Sequence, residues 1–327
     1  MRAMVLEKAG SLLVLKDVPC PIPKQHELLI QVKVCGVCRT DLHIIEGDLK
    51  SPKLPLILGH QIVGKVVEVG AAVSKVKVGE CVGVPWLGGC CTHCEFCLSN
   101  RENLCEEGVY TGYIRDGGYA EYCTAHEDFV LKIPSQYEET HAAPLLCAGL
   151  IGYRAFRLAS PKSSIGFYGF GSSAHILIQI AVKANIEVYV FTRPGDVKTQ
   201  AFALSLGAKW AGGSDVLPEE RLDAAIIFAP VGSLYVQALK AIKKGGRVVS
   251  AGICMSDIPS FPYELLFGER SIASVTNLTK QDGIDFMKLI NFQKIKTFIT
   301  IFPLEEANLA IQAIKKGSIG GSVVLKI

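Results

Sequence analysis

Apolar residues in the first part of the chain occur in short runs that in places alternate with polar ones, as in strands that bury one face. The run at residues 28–34 begins apolar and then alternates, and further β-rich runs lie at 62–69 and 80–84. Gly70 and Gly79 lie between these runs, where turns are expected because glycine adopts backbone conformations that other residues avoid. Closely spaced runs of this kind predict a compact, barrel-like β domain.

A different pattern begins near residue 150, where short apolar runs alternate with helix-like segments. The strand-like runs are 164–168, 187–191, 224–228 and 247–250, and the helix-like segments are 175–182 and 234–242, the second of them stopped by Gly245 and Gly246. Strands that alternate with helices in this way favour a parallel, doubly wound sheet. At the end of the chain, residues 304–316 predict a short helix and residues 322–327 a final strand.

Composition fits two well-buried domains. The chain has 327 residues, of which 49% are hydrophobic, and this length accommodates two domains of ordinary size. No apolar run reaches bilayer length, and the first residues lack the apolar segment of a secretory signal. We therefore expect a soluble, cytoplasmic protein without a membrane partner. The formal charge of +3 offers no electrostatic footprint for nucleic acid.

Cysteine is the residue type that points most directly to chemistry. Of the twelve cysteines, four have the spacing Cys91-x2-Cys94-x2-Cys97-x7-Cys105. Two-residue gaps let neighbouring sulfurs face one ion, and the longer gap returns the chain to complete a tetrahedron, so the spacing predicts a structural zinc. Polar residues between the sulfurs argue against simple core packing. Cys90 and His93 are possible substitute ligands, which we leave out of the set.

A second group of candidate ligands is spread along the chain. Cys38, His60 and Cys147 supply two thiolates and an imidazole, the ligand types of an open zinc site whose fourth position is left for substrate. Taken singly, each has an ordinary alternative, because buried cysteine is common and a lone histidine is more often a core residue. Spacing alone does not bring the three together.

A glycine-rich loop follows the strand at 164–168. The order strand, Gly169-x-Gly171-x-x-Ala174, helix is the arrangement that places a dinucleotide pyrophosphate at a helix N-terminus, with Ser172 and Ser173 in the first turn.

The next strand ends at Thr192 and Arg193, where an enzyme that uses NAD would place a carboxylate against the ribose. Because no carboxylate is present and Arg193 could receive a 2′-phosphate, NADP is favoured over NAD. The alternative is that Arg193 lies in a solvated turn.

These motifs together resemble the zinc-dependent alcohol dehydrogenases of the medium-chain dehydrogenase/reductase superfamily, closest to the bacterial branch related to cinnamyl-alcohol dehydrogenases. The resemblance implies an α/β protein with two domains. A GroES-like β-barrel catalytic domain would take residues 1–149 and 285–327 and hold both zinc sites, and a Rossmann NAD(P)-binding domain would take 150–284. Segments that carry the match are 38–43, 59–60, the four-cysteine lobe, 116–122, 143–149 and the glycine loop.

The resemblance also assigns roles to single residues. It implies a catalytic zinc on Cys38, His60 and Cys147 and a structural zinc on the four-cysteine lobe. Asp41 would orient His60, a task that fixes the tautomer of a ligand histidine and raises its basicity. Thr40 and His43 would form a proton relay, although by its own surroundings Thr40 would be an ordinary strand residue.

Further roles concern the cofactor and the substrate. Arg39 corresponds to a position that approaches the cofactor phosphates, with a solvated arginine as the alternative. Leu49, Trp86 and Leu87 correspond to the substrate pocket, with simple core packing as the alternative. Gln61 replaces a glutamate usual beside the ligand histidine and so removes a negative charge near the zinc.

The implied activity is hydride transfer between a nicotinamide cofactor and a primary aliphatic or aromatic alcohol or aldehyde, with zinc as a Lewis acid. The resemblance further implies a homodimer or homotetramer. Two alternatives stay open: a zinc-dependent polyol dehydrogenase on the same scaffold, and a non-catalytic zinc protein that binds NADP.

Overall fold

The computed structural model describes residues 1–317 and 319–327, which form two units. The first unit comprises Met1–Leu150 and Asn277–Ile327, and the second comprises Ile151–Thr276. The boundaries expected from the sequence were 149/150 and 284/285. The second boundary differs because the helix at Lys280–Phe292 lies wholly in the first unit.

Strands account for most of the regular structure of the first unit and for the sheet of the second. In chain order they are β1 (Arg2–Leu6), β2 (Val14–Asp17), β3 (Glu27–Val37), β4 (Leu56–Ile57), β5 (Ile62–Val69), β6 (Cys81–Val84), β7 (Leu87–Gly89), β8 (Val109–Tyr110), β9 (Tyr122–His126), β10 (Leu131–Lys132), β11 (Ser164–Tyr168), β12 (Glu187–Thr192), β13 (Trp210–Gly213), β14 (Leu222–Ile227), β15 (Ile242–Ser250), β16 (Ser271–Ser274), β17 (Ile299–Pro303) and β18 (Ser322–Lys326).

Helices occur in both units. In chain order they are α1 (Arg39–Glu46), α2 (Glu95–Leu98), α3 (Glu139–Ala142), α4 (Ala148–Ala159), α5 (Ser172–Lys183), α6 (Val197–Ser205), α7 (Leu234–Ala241), α8 (Lys280–Phe292) and α9 (Ala307–Lys316). Across the described residues, no helix combines the length and apolarity needed to cross a bilayer.

The first unit is built around β3. This strand pairs with β5 and β9 along its first part and with β18 along its last part, in a sheet ordered β10-β6-β5-β3-β18-β17. β3 has neighbours over its whole length, and all its apolar residues are buried. The end of the chain therefore belongs to the first unit, where β18 completes the sheet beside β3.

The second unit contains a parallel sheet ordered β13-β12-β11-β14-β15-β16. This is the strand order 3-2-1-4-5-6 of a doubly wound dinucleotide-binding sheet, in which the connections reverse direction between the first and fourth strands. The reversal falls between β11 and β14, so the loop after β11 opens at the point where such sheets bind ligands.

Two local expectations from the sequence were wrong. Thr40, which its own surroundings assign to a strand, lies in the first turn of α1. The helix predicted at 234–242 ends at Ala241, because Ile242 is already extended and starts β15. Gly245 and Gly246 therefore lie inside that strand, where Gly245 takes a φ of +73° and the pairing register with β14 shifts.

Asp223 fastens the amino ends of β11 and β14 to each other. Its Oδ2 accepts hydrogen bonds from the backbone N–H groups of Ser163 (2.5 Å) and Ser164 (3.0 Å), and its Oδ1 accepts one from Lys243 Nζ (2.8 Å). Burial opposes ionisation, but Lys243 and these N–H groups outweigh it and hold the pKa of Asp223 well below its ordinary value. The carboxylate thus stabilises the folded second unit.

We expect Asp223→Ala to lower the free energy of unfolding by about 2 kcal/mol at neutral pH, because two backbone N–H groups and Lys243 lose a charged acceptor. A depressed carboxyl pKa contributes stability above the unfolded value of about 3.9 and loses it as pH falls through the folded value. The difference in free energy of unfolding between wild type and variant should therefore be constant near neutral pH and decrease only in strong acid. Urea unfolding across pH measures it, with the exposed Glu220→Ala as control; equal effects of the two variants would contradict this account.

Candidate metal centre and dinucleotide loop

The three separated candidate ligands meet in the first unit. The ligand atoms of Cys38, His60 and Cys147 all lie within 4.8 Å of one another, and the two sulfurs are 3.9 Å apart. Cys38 caps the N-terminus of α1, His60 lies between β4 and β5, and Cys147 follows a 3-10 turn at Ala143–Leu146. Nε2 of His60 is buried and has no hydrogen-bond partner among the described residues. These donors fit a tetrahedral zinc ion with one position left open.

The electrostatics of this cluster are compatible with a bound cation. The contact between the sulfurs holds the pKa of Cys38 well below its ordinary value and, with burial, the pKa of Cys147 well above it. Burial alone lowers the pKa of His60, but Asp41 and Cys38 outweigh it and raise that pKa to about 10. The cluster therefore attracts positive charge, and a metal ion would bind in place of protons.

Asp41 lies behind two of the candidate ligands. Its Oδ2 accepts a hydrogen bond from the backbone N–H of Cys38 at 2.7 Å, and its Oδ1 lies 3.4 Å from Nδ1 of His60. The side chains of Asp41 and His60 are 0% and 1% exposed. Sequence reasoning missed Tyr119, whose hydroxyl donates to Asp41 Oδ2 at 3.0 Å. It lies in the matching segment 116–122, but no sequence pattern indicates where its hydroxyl points.

Glycine lets the chain reach His60. Gly59 has a φ of +98°, and a Cβ built on it would meet the ring of Tyr119 at 2.5 Å and Sγ of Cys35 at 2.7 Å. Gly117 crosses the same point, where a Cβ would meet the carbonyl oxygen of Gly59 at 2.1 Å. The backbone before His60 is therefore confined on several sides, and this confinement sets the position of the imidazole.

The two predicted relay residues lie on α1. Oγ1 of Thr40 is 3.5 Å from Sγ of Cys38, which places the hydroxyl beside the candidate metal position. Nδ1 of His43 bonds to Oδ2 of Asp48 at 2.7 Å, a partner that sequence reasoning missed. If Nδ1 carries the proton toward this carboxylate, Nε2 is the acceptor, and Nε2 is buried without a hydrogen-bond partner among the described residues.

The three predicted pocket residues differ in their surroundings. Trp86 contacts His60 edge to face, with ring centroids 4.9 Å apart, and stacks against Tyr110 and Tyr113 at 5.4 and 5.7 Å. Leu49 is half-buried against the core of the unit, whereas Leu87 is only 1% exposed. Trp86 is thus the member of the set that contacts a candidate ligand. Gln61 is also buried, with its side chain against Gly36.

The four-cysteine lobe forms a second cluster. The sulfurs of Cys91, Cys94, Cys97 and Cys105 lie within 4.8 Å of one another. Backbone N–H groups point at the sulfurs: Cys91 N–H donates to Cys105 Sγ and Cys94 N–H to Cys91 Sγ, both at 3.4 Å. Hydrogen bonds from the backbone of His93 and Cys94 lower the pKa of Cys91 to about 6, whereas burial raises that of Cys97. Four thiols around one point fit a closed tetrahedral site.

The glycine loop lies between β11 and α5 in the second unit. Gly169 has a φ of +92°, and a Cβ there would meet Ala229 at 3.1 Å, so the tight turn requires glycine. A Cβ on Gly171 would meet nothing within 4 Å, which leaves open space where α5 begins with Ser172 and Ser173. Ala174 is fully buried behind them. This geometry fits a pyrophosphate against the helix N-terminus.

The side chains at the end of β12, those of Thr192 and Arg193, have different surroundings. Thr192 is buried; its hydroxyl donates to the carbonyl of Arg193 at 3.0 Å and accepts from Gln200 Nε2 at 2.9 Å. Arg193 is exposed and has no ion pair within the described residues, so its guanidinium is open to a ligand. Arg39 in the first unit is exposed as well.

Comparisons with known proteins agree with this architecture. The alcohol dehydrogenase GroES-like domain family matches residues 24–135. A probable alcohol dehydrogenase of Mycobacterium tuberculosis is 43% identical over 315 residues, covering 94% of this chain and 90% of that protein. An alcohol dehydrogenase of Geobacillus stearothermophilus is 38% identical, with 100% of both chains covered. The structure of a cinnamyl alcohol dehydrogenase from Sorghum bicolor matches with a TM-score of 0.91 at 25% identity, covering 99% of this chain and 97% of that one.

A β unit with clustered metal-type ligands and a doubly wound unit with a dinucleotide loop define a class of two-domain oxidoreductases. Within that class, the chain belongs to the zinc-type alcohol dehydrogenases of the medium-chain dehydrogenase/reductase superfamily. The family, the α/β fold class and the assignment as an enzyme, all predicted from the sequence, are confirmed.

The confinement of Gly59 leads to a prediction. We expect Gly59→Ala to lower the free energy of unfolding by about 3 kcal/mol, because a left-handed backbone strain and a collision with Tyr119 add together. Gly10→Ala is a matched control, since Gly10 also has a positive φ but a Cβ there meets nothing within 4 Å. The control should lose only about 1 kcal/mol in urea unfolding. Equal losses in the two variants would exclude the collision.

Proposed function

We propose that this protein is a zinc-dependent alcohol dehydrogenase or aldehyde reductase that acts on primary aliphatic or aromatic substrates and prefers NADP to NAD. The observation that carries the proposal is the open cluster of Cys38, His60 and Cys147, whose ligand atoms converge although their positions in the chain are far apart. A buried, unpartnered Nε2 on His60 has no evident purpose in a protein that does not bind a metal there.

Bound zinc would supply Lewis acidity toward a carbonyl or alcohol oxygen, and the nicotinamide would donate or accept the hydride. The chain itself would hold the metal through two thiolates and one imidazole. Thr40 would exchange a proton with the reacting oxygen, because its hydroxyl both donates and accepts and lies beside Cys38. His43 would accept that proton, passed on through the cofactor ribose, on Nε2, while Asp48 stabilises the charge that the ring acquires.

The four-cysteine lobe would hold a second zinc with a structural role. Four sulfurs leave no position for a substrate, and the N–H groups that point at them favour thiolates. We therefore assign catalysis to the three-ligand cluster and maintenance of the loop to the four-ligand cluster.

The preference for NADP is supported by the residues at the end of β12. Thr192 uses its hydroxyl inside the fold, whereas Arg193 next to it is exposed and unpaired among the described residues. A guanidinium binds a phosphate through paired hydrogen bonds, while the unesterified ribose of NAD would call for a carboxylate. Residues 151–276 would then bind the cofactor through the loop at Gly169–Ala174 and through Arg193.

Aromatic or aliphatic substrates are supported by the surroundings of His60. The indole of Trp86 contacts this candidate ligand directly and is itself held by Tyr110 and Tyr113. An apolar wall of this kind favours hydrocarbon substituents on the reacting carbon, whereas a polyol would require polar partners.

The test is nicotinamide turnover by zinc-replete protein with a panel of aliphatic, benzylic and cinnamyl aldehydes and, in reverse, alcohols and polyols. We expect aldehyde-dependent oxidation of NADPH that a chelator abolishes. Cys38→Ser should reduce turnover by about 100-fold or more, because a hydroxyl is a poor zinc ligand and the metal would be held more weakly. Binding of NADPH, measured by fluorescence, should be unchanged in this variant.

Three results would contradict the proposal in different ways. Near-normal turnover by Cys38→Ser would show that zinc at the three-ligand cluster takes no part in the reaction. A marked preference for sorbitol-like substrates would indicate a polyol dehydrogenase. Two bound zinc ions without any turnover would indicate a non-catalytic zinc protein that binds NADP.

The cofactor preference has its own prediction. We expect Arg193→Ser to lower kcat/KM for NADPH by about 10- to 100-fold, because charged hydrogen bonds to the 2′-phosphate are lost. The value for NADH should change little. Arg221→Ser is a matched control that removes an exposed arginine just before β14, at the opposite, amino edge of the sheet. Equal effects of Arg193→Ser on both cofactors would refute the assigned role.

A further inference from the structure

Tyr119 is buried near the candidate zinc ligands, and none of the roles proposed above includes it. Its side chain is 0% exposed, and its hydroxyl donates to Oδ2 of Asp41 at 3.0 Å. Burial, followed by the negative charge of Asp41, raises the pKa of this hydroxyl well above its ordinary value, so it remains a donor. A tyrosine placed in this way acts on the cluster through the carboxylate.

The hydrogen bonds of Asp41 are divided between its two oxygens. Oδ2 accepts both the backbone N–H of Cys38 at 2.7 Å and the hydroxyl of Tyr119 at 3.0 Å. Oδ1 has no hydrogen-bond partner among the described residues and lies 3.4 Å from Nδ1 of His60. Two donors on one oxygen fix the carboxylate plane, and the other oxygen is thereby turned toward the imidazole.

Tyr119 is itself held in place from both sides. Its backbone N–H donates to Leu58 at 3.0 Å, and its carbonyl accepts from Met4 at 2.8 Å. Its ring lies against Gly59, where no Cβ could fit. Tyr119 is thus hydrogen-bonded to the same short segment that carries His60.

We propose that Tyr119 is a positioning residue for the catalytic zinc site, which aligns Asp41 so that this one carboxylate orients both Cys38 and His60. The proposal rests on the proposed zinc role of Cys38, His60 and Cys147. It extends that role to a residue more distant from the metal position, because removal of such outer partners commonly weakens metal binding about 10- to 100-fold.

Tyr119→Phe tests the proposal, because it removes the hydroxyl and keeps the ring against Gly59. Tyr137→Phe is the matched control: Tyr137 is also buried in the first unit, and its hydroxyl accepts from Ile295 N–H at 2.8 Å, outside the metal cluster. Each protein is loaded with cobalt(II), and metal loss to EDTA is followed by the absorption of the cobalt–thiolate centres. The four-cysteine cluster in the same molecule serves as an internal reference.

We expect Tyr119→Phe to lose cobalt from the three-ligand site about 10-fold faster than wild type, with a shifted ligand-field spectrum. The four-cysteine site should be unaffected, and Tyr137→Phe should match wild type at both sites. Unchanged loss in Tyr119→Phe would overturn the proposal. Slower loss would overturn it as well, because the hydroxyl would then weaken metal binding instead of supporting it. Faster loss from both sites of Tyr119→Phe, or equally fast loss in Tyr137→Phe, would indicate general destabilisation and also overturn it.

The same experiment separates failure of this inference from failure of the proposed function. Wild-type protein should bind two cobalt ions and Cys38→Ser only one. If both bind one ion, the three-ligand site does not exist, and the proposed function falls together with this inference. If wild type binds two ions and Tyr119→Phe behaves like wild type, only the role of Tyr119 is lost.

Discussion

The buried carboxylate of Asp41 is the constraint on which the candidate metal cluster of the first unit depends. An ionised group with no exposure is costly unless charged or polar partners surround it. Asp41 has these partners in the N–H of Cys38, the hydroxyl of Tyr119 and the imidazole of His60. They come from the N-cap of α1, from the segment before β9 and from the segment after β4. Satisfying this one charge therefore requires the tertiary structure that also assembles the candidate metal cluster.

The two cysteine clusters differ in how they obtain their geometry. In the four-cysteine lobe, candidate ligands close in sequence are gathered by a local loop, and backbone N–H groups donate hydrogen bonds to the sulfurs. In the three-ligand cluster, residues far apart in sequence are brought together by the core, with a carboxylate behind them. A tetrahedral ion has four ligand positions. The second arrangement would fill only three of them and leave one open, whereas the four-cysteine lobe would fill all four.

This difference explains what the sequence could and could not predict. The Cys91 to Cys105 spacing and the Gly169 loop are local patterns, so the residues alone indicated both. The set of Cys38, His60 and Cys147 depended on resemblance to a family, because spacing does not reveal contacts across the core. Tyr119 and Asp223 were missed for the same reason, because their partners lie on other elements. Asp48 is a near neighbour of His43, but no sequence pattern indicates that its carboxylate turns back to the imidazole.

In the second unit, the two ends of β11 differ in what their neighbouring residues contribute. At the amino end of β11, Asp223 holds Ser163 and Ser164 through a charged network. At the carboxyl end, Gly169 and Gly171 leave the backbone bare, since any side chain there would strain the turn or fill the open space. A parallel sheet binds ligands at its carboxyl edge. Because the hydrogen bonds of Asp223 hold β11 and β14 together at their amino ends, the loop at the carboxyl end of β11 can contain glycines without weakening the pairing of the two strands.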